Sequence, residues 1–272
     1  MAISSYDSII ASIVAGKSQD RMFSKTLSGN LAVGQALSFW EVGNTPAAGA
    51  GGTALTGRNC DPTVTGALTF ANPTSPDTQH LICGYAYGTS SAMGTLMVYD
   101  RLADVSNISM ATTSPQSISM SALPRYTNGE GVQMFLEVST DISGAPIFTV
   151  DYTDQDGNPG TTQPITCAAN TFARFAYNST VYLPLAAGDT GVRGADEFTC
   201  SVSAASGVCR LVFARPLVTL PLLTAGAVIE KDFVTQTPRL PRLYDDHCVA
   251  FFIVGSSVIN GTVHGMLTAV AG

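Results

Sequence analysis

Three aspartates lie close together in the segment DYTDQDGN, where their carboxylates could bind a cation. Asp151, Asp154 and Asp156 stand next to Gly157, and calcium is bound by about six to eight oxygen ligands in acidic loops of this kind. An EF-hand loop needs a bidentate Glu at its twelfth position, but counting from Asp154 that position holds Ile165. The flanking segments also read as strands. The pattern therefore favours a surface turn over a calcium site, and no other metal site and no cofactor is predicted.

A second group of reactive side chains is the segment Asp245-Asp246-His247-Cys248. It places two carboxylates, an imidazole and a thiol side by side. Acid–base or thiol catalysis needs a further positioned partner, and neither GxSxG nor HExxH occurs in the chain. The segment precedes the apolar run VAFFIV, so we interpret it as a polar turn before a strand. Two distant carboxylates could still hydrolyse a glycosidic bond, but Trp40 alone offers little aromatic platform for a sugar.

The cysteines and histidines lack the spacing of a zinc site. No CxxC pair occurs among the six cysteines, and the three histidines are isolated from one another. Cys200 and Cys209 flank a turn at Gly207 and could form a disulfide across a hairpin. No signal peptide is predicted, because Asp7 precedes the first lysine and the apolar stretch that follows is short. Buried free thiols are therefore favoured over a disulfide.

The elements that must position these groups are almost all strands. Short apolar or alternating segments, bounded by Gly, Pro, Asn and Asp, recur at intervals of roughly ten residues, which is typical of all-β domains. Packing so many strands into two sheets buries both faces. The predicted fold is therefore all-β, a β-sandwich or jelly-roll-like arrangement. The predicted strands cover residues 31–42, 80–87, 95–102, 117–123, 131–139, 147–153, 161–166, 172–185, 197–204, 208–214, 248–254 and 263–270.

The N-terminus is predicted to form a short helix followed by an extended arm. Apolar side chains recur there at helical spacing, Ser4 and Asp7 resemble a capping box, and Gly16 would end the helix. The apolar stripe would either pack on the β core or dock into a neighbouring subunit. The mixed-charge segment 17–25 reads as the arm. The stripe consists of Tyr6, Ile10, Ile13 and Val14.

The chain is predicted to divide into two parts. Residues 1–45 would form the helix, the arm and the first strand, and residues 46–272 the sandwich region, either as one unit or with a break near residues 215–245. Within the second part, Asp154 to Gly160 is predicted to be a hairpin loop, because Gly157 and Gly160 can adopt positive φ.

Two other segments are predicted to be irregular. The Gly- and Ala-rich stretch from Gly43 to Gly57 reads as a flexible connector or surface loop. The prolines at 216 and 221 remove donors from a strand, so the segment that contains them is expected to leave the core.

Aromatic pairs in the predicted strands are expected to pack inside the sandwich rather than to bind ligands. These pairs are Tyr85 with Tyr87, and Phe251 with Phe252.

The composition sets limits on the partners of this chain. Its 272 residues include 13 Lys and Arg and 20 Asp and Glu, so the formal net charge is −7 and only 12% of residues are charged. An ordinary soluble domain has about 25% charged residues. The chain has no basic run that would bind nucleic acid, and prolines interrupt its longest apolar tract, so no membrane partner is expected. A thinly charged surface suits burial against copies or partners.

Several segments together resemble a family of tailed-bacteriophage virion proteins encoded among head genes. The resemblance covers roughly residues 20–225, and its motifs are turns and strand cores rather than a catalytic signature. It implies a β-rich, head-associated protein that binds outside the major capsid lattice as a decoration or cement protein. The segments are FSKT, LSFWEVGNTPAAG, MVYDRLADVSNIS, LPRYTNGEGVQMFLEVST, FTVDYTDQDGNPGTT, LPLAAGDTGVRGADEFT and VCRLVFARPLVTLPL.

These observations lead to one predicted function. The chain is expected to be a non-enzymatic virion structural protein that assembles in the host cytoplasm, binds the major capsid protein on the capsid exterior and associates with itself as a homotrimer. The alternatives are a receptor-binding protein of the tail or fibre and, less favoured, a glycan hydrolase with a sandwich fold. The residues predicted to contact the capsid or a neighbouring subunit are Tyr6, Ile10, Ile13, Val14, Lys17, Arg21 and Lys25.

Overall fold

A computed structural model describes residues 3–27, 29–90, 92–176, 181–256 and 260–272. Strands make up 49% of the chain and helix 3%, which confirms the all-β prediction. Among the described residues the only helix is α1 (Tyr6–Val14), and no helix there is long and apolar enough to span a bilayer. The strands are β1 (Ser18–Thr26), β2 (Ala36–Ser38), β3 (Asn44–Thr45), β4 (Gly57–Asn59), β5 (Gln79–Gly88), β6 (Gly94–Ser109), β7 (Gln116–Ser117), β8 (Gln133–Ser143), β9 (Ile147–Asp154), β10 (Pro159–Thr161), β11 (Ile165–Thr166), β12 (Val192–Val202), β13 (Ser206–Leu222), β14 (Ile229–Asp232), β15 (Arg242–Leu243), β16 (Val249–Gly255) and β17 (Thr262–Ala271).

The strands form three antiparallel sheets. Sheet I has the order β14-β5-β17-β1-β3, with β15 also paired to β5. Sheet II has the order β2-β16-β6-β13-β8, with β4 also paired to β6. Sheet III has the order β10-β9-β12-β7, with β11 also paired to β9. This arrangement is compatible with a β-sandwich.

Sheet II is shared by two large hydrophobic cores. Its longest strands, β6 and β13, pair along almost their whole length. One core joins one end of this pair to sheet I, with Leu96 and Leu220 packed near Phe23 and Leu267. The other joins the opposite end to sheet III, including Phe148 and its stacked neighbour in β12. The β6–β13 pair therefore connects the two halves of the molecule.

The segment with two prolines is a strand, which corrects the prediction that it leaves the core. Pro216 and Pro221 lie within β13 and pair with Tyr99 and Thr95 of β6. The pairing of β13 with β8 stops at Ala214. Within the described residues, β13 beyond Ala214 pairs only with β6, and the side that faced β8 is an open edge of the sheet. A proline that turns its missing N–H toward this open edge removes no hydrogen bond from the sheet.

The predicted helix is confirmed, but its N-cap is one residue later than expected. The side-chain oxygen of Ser5 accepts from the backbone N–H of Ser8, and the Ser8 side chain accepts in turn from the backbone of Ser5. Ser8 thus holds the N3 position of the capping box, which the prediction had given to Asp7 after Ser4. Gly16 follows the helix with a φ of +74°, as a C-terminal glycine does.

The segment after the helix is a paired strand and not an arm. β1 lies inside sheet I, with β17 on one side and β3 on the other. Its nine residues pair in continuous register with β17 from Ser18 to Thr26. The sequence suggested an arm because its mixed charges hide the alternation, in which Phe23 and Lys25 are the buried residues.

Two strand predictions are wrong because the apolar residues that suggested them lie in packed loops. The predicted strand 31–42 contains only β2, and residues 172–176 of the predicted strand 172–185 make isolated bridges from Arg174 and Phe175, while 177–180 lie outside the described residues. The Gly-rich segment 43–57 matches the surface-loop alternative of its prediction, because none of its residues is buried, but it is held in place rather than flexible. Gly49 donates a backbone hydrogen bond to Trp40 and lies against its ring. Apolar composition alone does not distinguish a strand from a packed loop.

The predicted domain boundaries stay predictions. Residues 1–45 supply α1 and strands to sheets I and II. The predicted break near 215–245 begins inside β13, whose pairing with β6 continues to Leu222.

A candidate contact surface on the N-terminal helix and sheet I

The apolar stripe of α1 is exposed. Ile9 is the buried residue of the helix and packs against Ile82 and Val270 on the outer face of sheet I. The four predicted stripe residues are nevertheless exposed, with exposed fractions from 42% for Ile13, which follows Ile9 by one turn, to 82% for Val14. A helix that is anchored by one isoleucine and exposes four apolar side chains is available for contact with another molecule.

The outer face of sheet I carries a second group of apolar side chains, which the row of the exposed Asp20 and its partner Thr268 separates from α1. In β1, β17 and β5 the residues Met22, Met266 and Tyr85 are register partners across three adjacent strands. Met22 is 67% exposed, while Met266 and Tyr85 are half-buried. The next row along contains His264 and Tyr87, whose rings stack at 5.2 Å. We call these five residues together with the α1 stripe the sheet I surface.

The position of the tyrosines corrects the expectation that they pack inside. Tyr85 and Tyr87 alternate along β5 with Gly84 and Ala86, and these smaller residues are the ones that face the core. Phe251 and Phe252 are buried, as predicted, one in the core with sheet I and the other on the opposite side of sheet II. Alternation showed that the two faces of β5 differ, but it did not show which face is covered.

The three basic residues predicted to make contacts have partners within the chain. Lys17 forms an ion pair with Asp77. The Arg21 guanidinium donates to the Thr69 carbonyl at 2.7 Å and lies over the ring of Phe70. Arg21 alternates with Met22 along β1 and therefore lies on the opposite face of the sheet from the sheet I surface.

Lys25 differs from the other two, because only 1% of its surface is exposed. Its Nζ donates to the carbonyls of Val42 and Pro46 at 3.0 and 2.6 Å. Burial lowers the pKa of Lys25 to about 8. Lys25 therefore holds the loop after β2 in place, and its side chain is not accessible to a partner.

The aspartate cluster forms the predicted hairpin loop between β9 and β10. Asp154 accepts from the backbone N–H groups of Asp156 and Asn158, each at 2.8 Å, and Asp151 accepts from the Thr161 hydroxyl at 2.7 Å. Burial raises the pKa of Asp154, but the hydrogen bonds from Asn158 and Asp156 outweigh it and lower that pKa. The carboxylates hold the turn, and no metal-binding group of acidic, His or Cys residues occurs in the described ranges.

The segment 245–248 is also structural. His247 is fully buried, its Nε2 accepts from the backbone N–H of Phe70 at 3.2 Å, and its Nδ1 donates to the Tyr244 carbonyl at 2.7 Å. Burial lowers the pKa of His247, so the ring is held neutral. Asp246 lies 3.4 Å from Arg125, and the Cys248 N–H donates to Asp100. The contacts of Asp246, His247 and Cys248 thus stabilise the fold.

Sequence reasoning missed a buried ionic network at the centre of sheet II. Arg101 of β6 is fully buried, contacts both oxygens of Glu137 at 3.1 Å and contacts Asp104 at 3.1 Å. Its guanidinium also lies 4.3 Å from the ring centroid of Trp40. Arg58 completes one end through Asp104 at 2.7 Å. The signal in the sequence is the presence of charged residues inside otherwise apolar strands, as in MVYDRLADVS.

At its other end the network contains a carboxyl group with an unusual pKa. Arg210 contacts Glu41 at 2.5 Å and Glu137 at 3.7 Å. Burial, followed by the repulsion from Glu137, raises the pKa of Glu41 to about 7, although Arg210 and Arg101 act in the opposite direction. The network therefore has three guanidinium groups and three carboxyl groups, one of which changes its charge near neutral pH.

All six cysteines are free thiols. Burial raises the pKa of Cys167 to about 12 and that of Cys200 to about 11. Thiols in this state are poor nucleophiles. The favoured reading of buried free thiols is confirmed, with the exception of Cys83, which is half-buried.

Comparison with known proteins does not assign the chain to a family. No protein-family model and no curated protein matches it. Solved structures with some similarity include infectious bursal disease virus, Gt strain, and the VP2 subviral particle of the same virus. Each is 11% identical; the alignments cover 94% and 93% of this chain and 81% and 80% of those chains, and both TM-scores are 0.16. A superposition this poor does not establish a shared fold.

Proposed function

We propose that this chain is a non-enzymatic structural protein of a bacteriophage virion. In this proposal it binds the major capsid protein on the outside of the shell as a decoration or cement protein, and it associates with itself as a homotrimer. The observation that carries the proposal is the sheet I surface, in which four exposed apolar side chains of α1 and a row of Met and Tyr side chains lie on the same face of sheet I. Large apolar patches on a soluble protein mark sites of association.

The distribution of charge supports the same proposal. Three of the 13 Lys and Arg residues belong to buried ion pairs, namely Arg101, Arg125 and Arg210, and a fourth, the half-buried Arg58, pairs with the buried Asp104. The exterior is therefore even less charged than the 12% composition suggests. Few lysines and carboxylates would lose water when such a surface is covered, and interfaces are depleted of charged residues at their centre.

The reactive groups of the molecule support a non-enzymatic role. The aspartate hairpin, the segment 245–248 and the ionic network each use their side chains to hold backbone or one another. A general acid or base must reach a substrate, whereas Arg101, Glu137 and His247 have no exposed surface.

Removal of the N-terminal helix tests the proposal. Because β1 is a paired strand of sheet I, a deletion should end at residue 16 so that the sheet is kept. We expect virions assembled with the truncated chain to lose it, as measured by mass spectrometry and particle reconstruction. The matched control is Leu223→Asp with Val228→Asp, since both residues are exposed and apolar but lie outside the sheet I surface.

Three results would contradict the proposal. Full occupancy of the truncated chain on the shell would show that α1 is not needed for binding. Density for the chain on the tail instead of the shell would favour a receptor-binding protein. Release of reducing ends from host polysaccharide by the purified chain would establish a glycan hydrolase.

A further inference from the structure

A groove on the open edge of β13 collects positive charge in a molecule that is negative overall. It has a volume of about 580 Å³, which lies in the usual range for ligand sites. Four of the 13 Lys and Arg residues line it, and no Asp or Glu does. These residues are Arg215, Lys231, Arg239 and Arg242.

The four cations are not neutralised within the chain. Arg215 and Lys231 donate to the carbonyls of Glu130 and Thr219, at 2.5 and 3.2 Å, which orients them without cancelling their charge. Arg239 and Arg242 are exposed. None of the four forms an ion pair with a carboxylate among the residues that the structure describes.

Two tyrosines hold the guanidinium groups in place. The rings of Tyr126 and Tyr244 meet edge to face at 5.1 Å. Arg215 lies over Tyr126 at 5.2 Å, and Arg242 lies over Tyr244 at 4.5 Å. Gly131 leaves room for Arg215, because a Cβ there would come within 1.6 Å of its Nη1. Stacked guanidinium groups of this kind are pre-organised to bind carboxylates in a bidentate manner.

The floor of the groove is apolar. It is formed by Met97, Leu217 and Val218 from sheet II and by Leu240 from the segment before β15. The β13 edge itself is closed to an added strand, since two prolines lie on it and Lys231 occupies the Thr219 carbonyl. A ligand is therefore held by its side chains rather than by strand addition.

We propose that this groove binds an acidic peptide segment of a partner protein. Aliphatic side chains of the peptide cover the floor while its Asp or Glu carboxylates pair with the arginines at the rim. A nucleic acid or an acidic polysaccharide has the charge but no aliphatic side chains for Leu217 and Leu240. At physiological ionic strength charges interact over about 8 Å, so the charge of the groove governs binding in spite of the net −7.

Carboxylates in two neighbouring hollows limit the site. A hollow of about 280 Å³ that shares Arg242 and Tyr244 with the groove contains Asp77, Asp245 and Asp246. An adjoining hollow of about 500 Å³ shares Arg215, Arg239 and both tyrosines, but it also contains Glu130 and Asp246. Asp246 already lies 3.4 Å from Arg125. These carboxylates would repel an acidic ligand, so the peptide lies over the 580 Å³ groove.

The test uses the full chain and a fluorescein-labelled peptide that alternates glutamate with leucine. We expect binding by fluorescence anisotropy, and binding at least about tenfold weaker when glutamine replaces glutamate or when the chain carries R239E and R242E. The control pair R174E and R193E has the same change in net charge outside the groove and should leave the affinity unchanged.

Each other result overturns the proposal. Equal loss of affinity in the control pair would mean that net charge alone is responsible. Tighter binding of a heparin hexasaccharide or an oligothymidylate than of the peptide would assign the groove to a different polymer. Absence of binding by all three probes would mean that the groove is not an anion site. None of these results bears on the proposed virion role, because the assay uses the isolated chain.

Discussion

The centre of sheet II and the surface of sheet I reverse the usual distribution of side chains. In sheet II, Arg101 and Glu137 form an ion pair that is fully buried. On the sheet I surface, Ile10 and Met22 are apolar and more than half exposed. A buried charged pair costs desolvation energy that its attraction barely offsets, so it is weak evidence for stability. In this chain, charged side chains hold strands together in the interior, while apolar side chains stay on the surface, where they are available for association.

Breaking the network at its most buried member should have the largest effect. Arg101→Met leaves Glu137 and Asp104 as buried charges without their main partner, and we expect a loss of about 3–5 kcal/mol in the free energy of unfolding. Urea denaturation followed by tryptophan fluorescence measures it. Arg193→Met, which removes a cation bonded to the Gln155 carbonyl, is the control. A loss below about 1 kcal/mol for Arg101→Met, as in an exposed ion pair, would show that the network is dispensable.

The network should also make stability depend on pH. In the unfolded chain the Glu41 carboxyl loses its proton near its ordinary pKa of 4.5, but in the folded protein it does so only near 7. Between these values unfolding releases a proton, so the contribution of Glu41 to stability is complete below the ordinary pKa and is lost as pH rises through 7.

The variant Glu41→Gln should remove this dependence. Between acidic and mildly alkaline pH, Glu41 should lower the free energy of unfolding of the native protein by about 3 kcal/mol, and this decrease should be absent in the variant. Urea denaturation across that pH range measures it. Glu230→Gln, at an exposed position, should keep the slope of the native protein. An unchanged slope in Glu41→Gln would place the titration on another group.

A substitution in the loop that covers Trp40 should lower the free energy of unfolding by less than Arg101→Met does. A Cβ at Gly49 would lie 2.0 Å from the Trp40 ring, on which Arg101 is stacked. Gly49→Ala should therefore cost about 1–3 kcal/mol of stability through overpacking. Gly43→Ala, where a Cβ meets nothing within 4 Å, is the control in the same loop. Equal melting temperatures for the two variants would mean that the loop moves away from Trp40 without cost.

The sheet I surface should show the smallest effect on folding and a clear effect on association. Ile10→Asp with Val14→Asp changes two exposed side chains, so the free energy of unfolding should stay within about 0.5 kcal/mol of its native value. Light scattering should show an oligomer for the native chain and a 28.2 kDa monomer for the variant. A monomeric native chain would remove self-association from the proposed function.

Local pattern predicted much of this protein. The spacing of apolar residues and the glycine at 16 located α1, and Gly157 marked the hairpin between β9 and β10. The same reasoning failed for the segment 17–25 and for the two prolines of β13. In both cases the deciding fact is which strand lies alongside: β17 makes the first a paired strand, and the end of β8 leaves the second an edge.

The candidate sites were predictable to a smaller extent. The stripe on α1 could be read from the sequence, but its direction could not, because the helix has one buried isoleucine that the pattern does not distinguish from its neighbours. The network escaped prediction because its members come from distant strands and loops. Arg101 and Glu137 are 36 residues apart, and Arg210 is 169 residues from Glu41. The four cations of the groove all lie within residues 215–242, but only the fold places them beside Tyr126 and leaves the edge of β13 open.

An all-β chain with few charged residues follows from the sequence alone, since strand alternation, turn residues and composition are local properties. The positions of those charges depend on the tertiary structure. The pairing of β6 with β13 and β8 buries Arg101 with its carboxylates, and the packing of α1 on Ile9 turns four apolar side chains outward. Burial depends on which faces meet, and that depends on strand order and register across the whole chain.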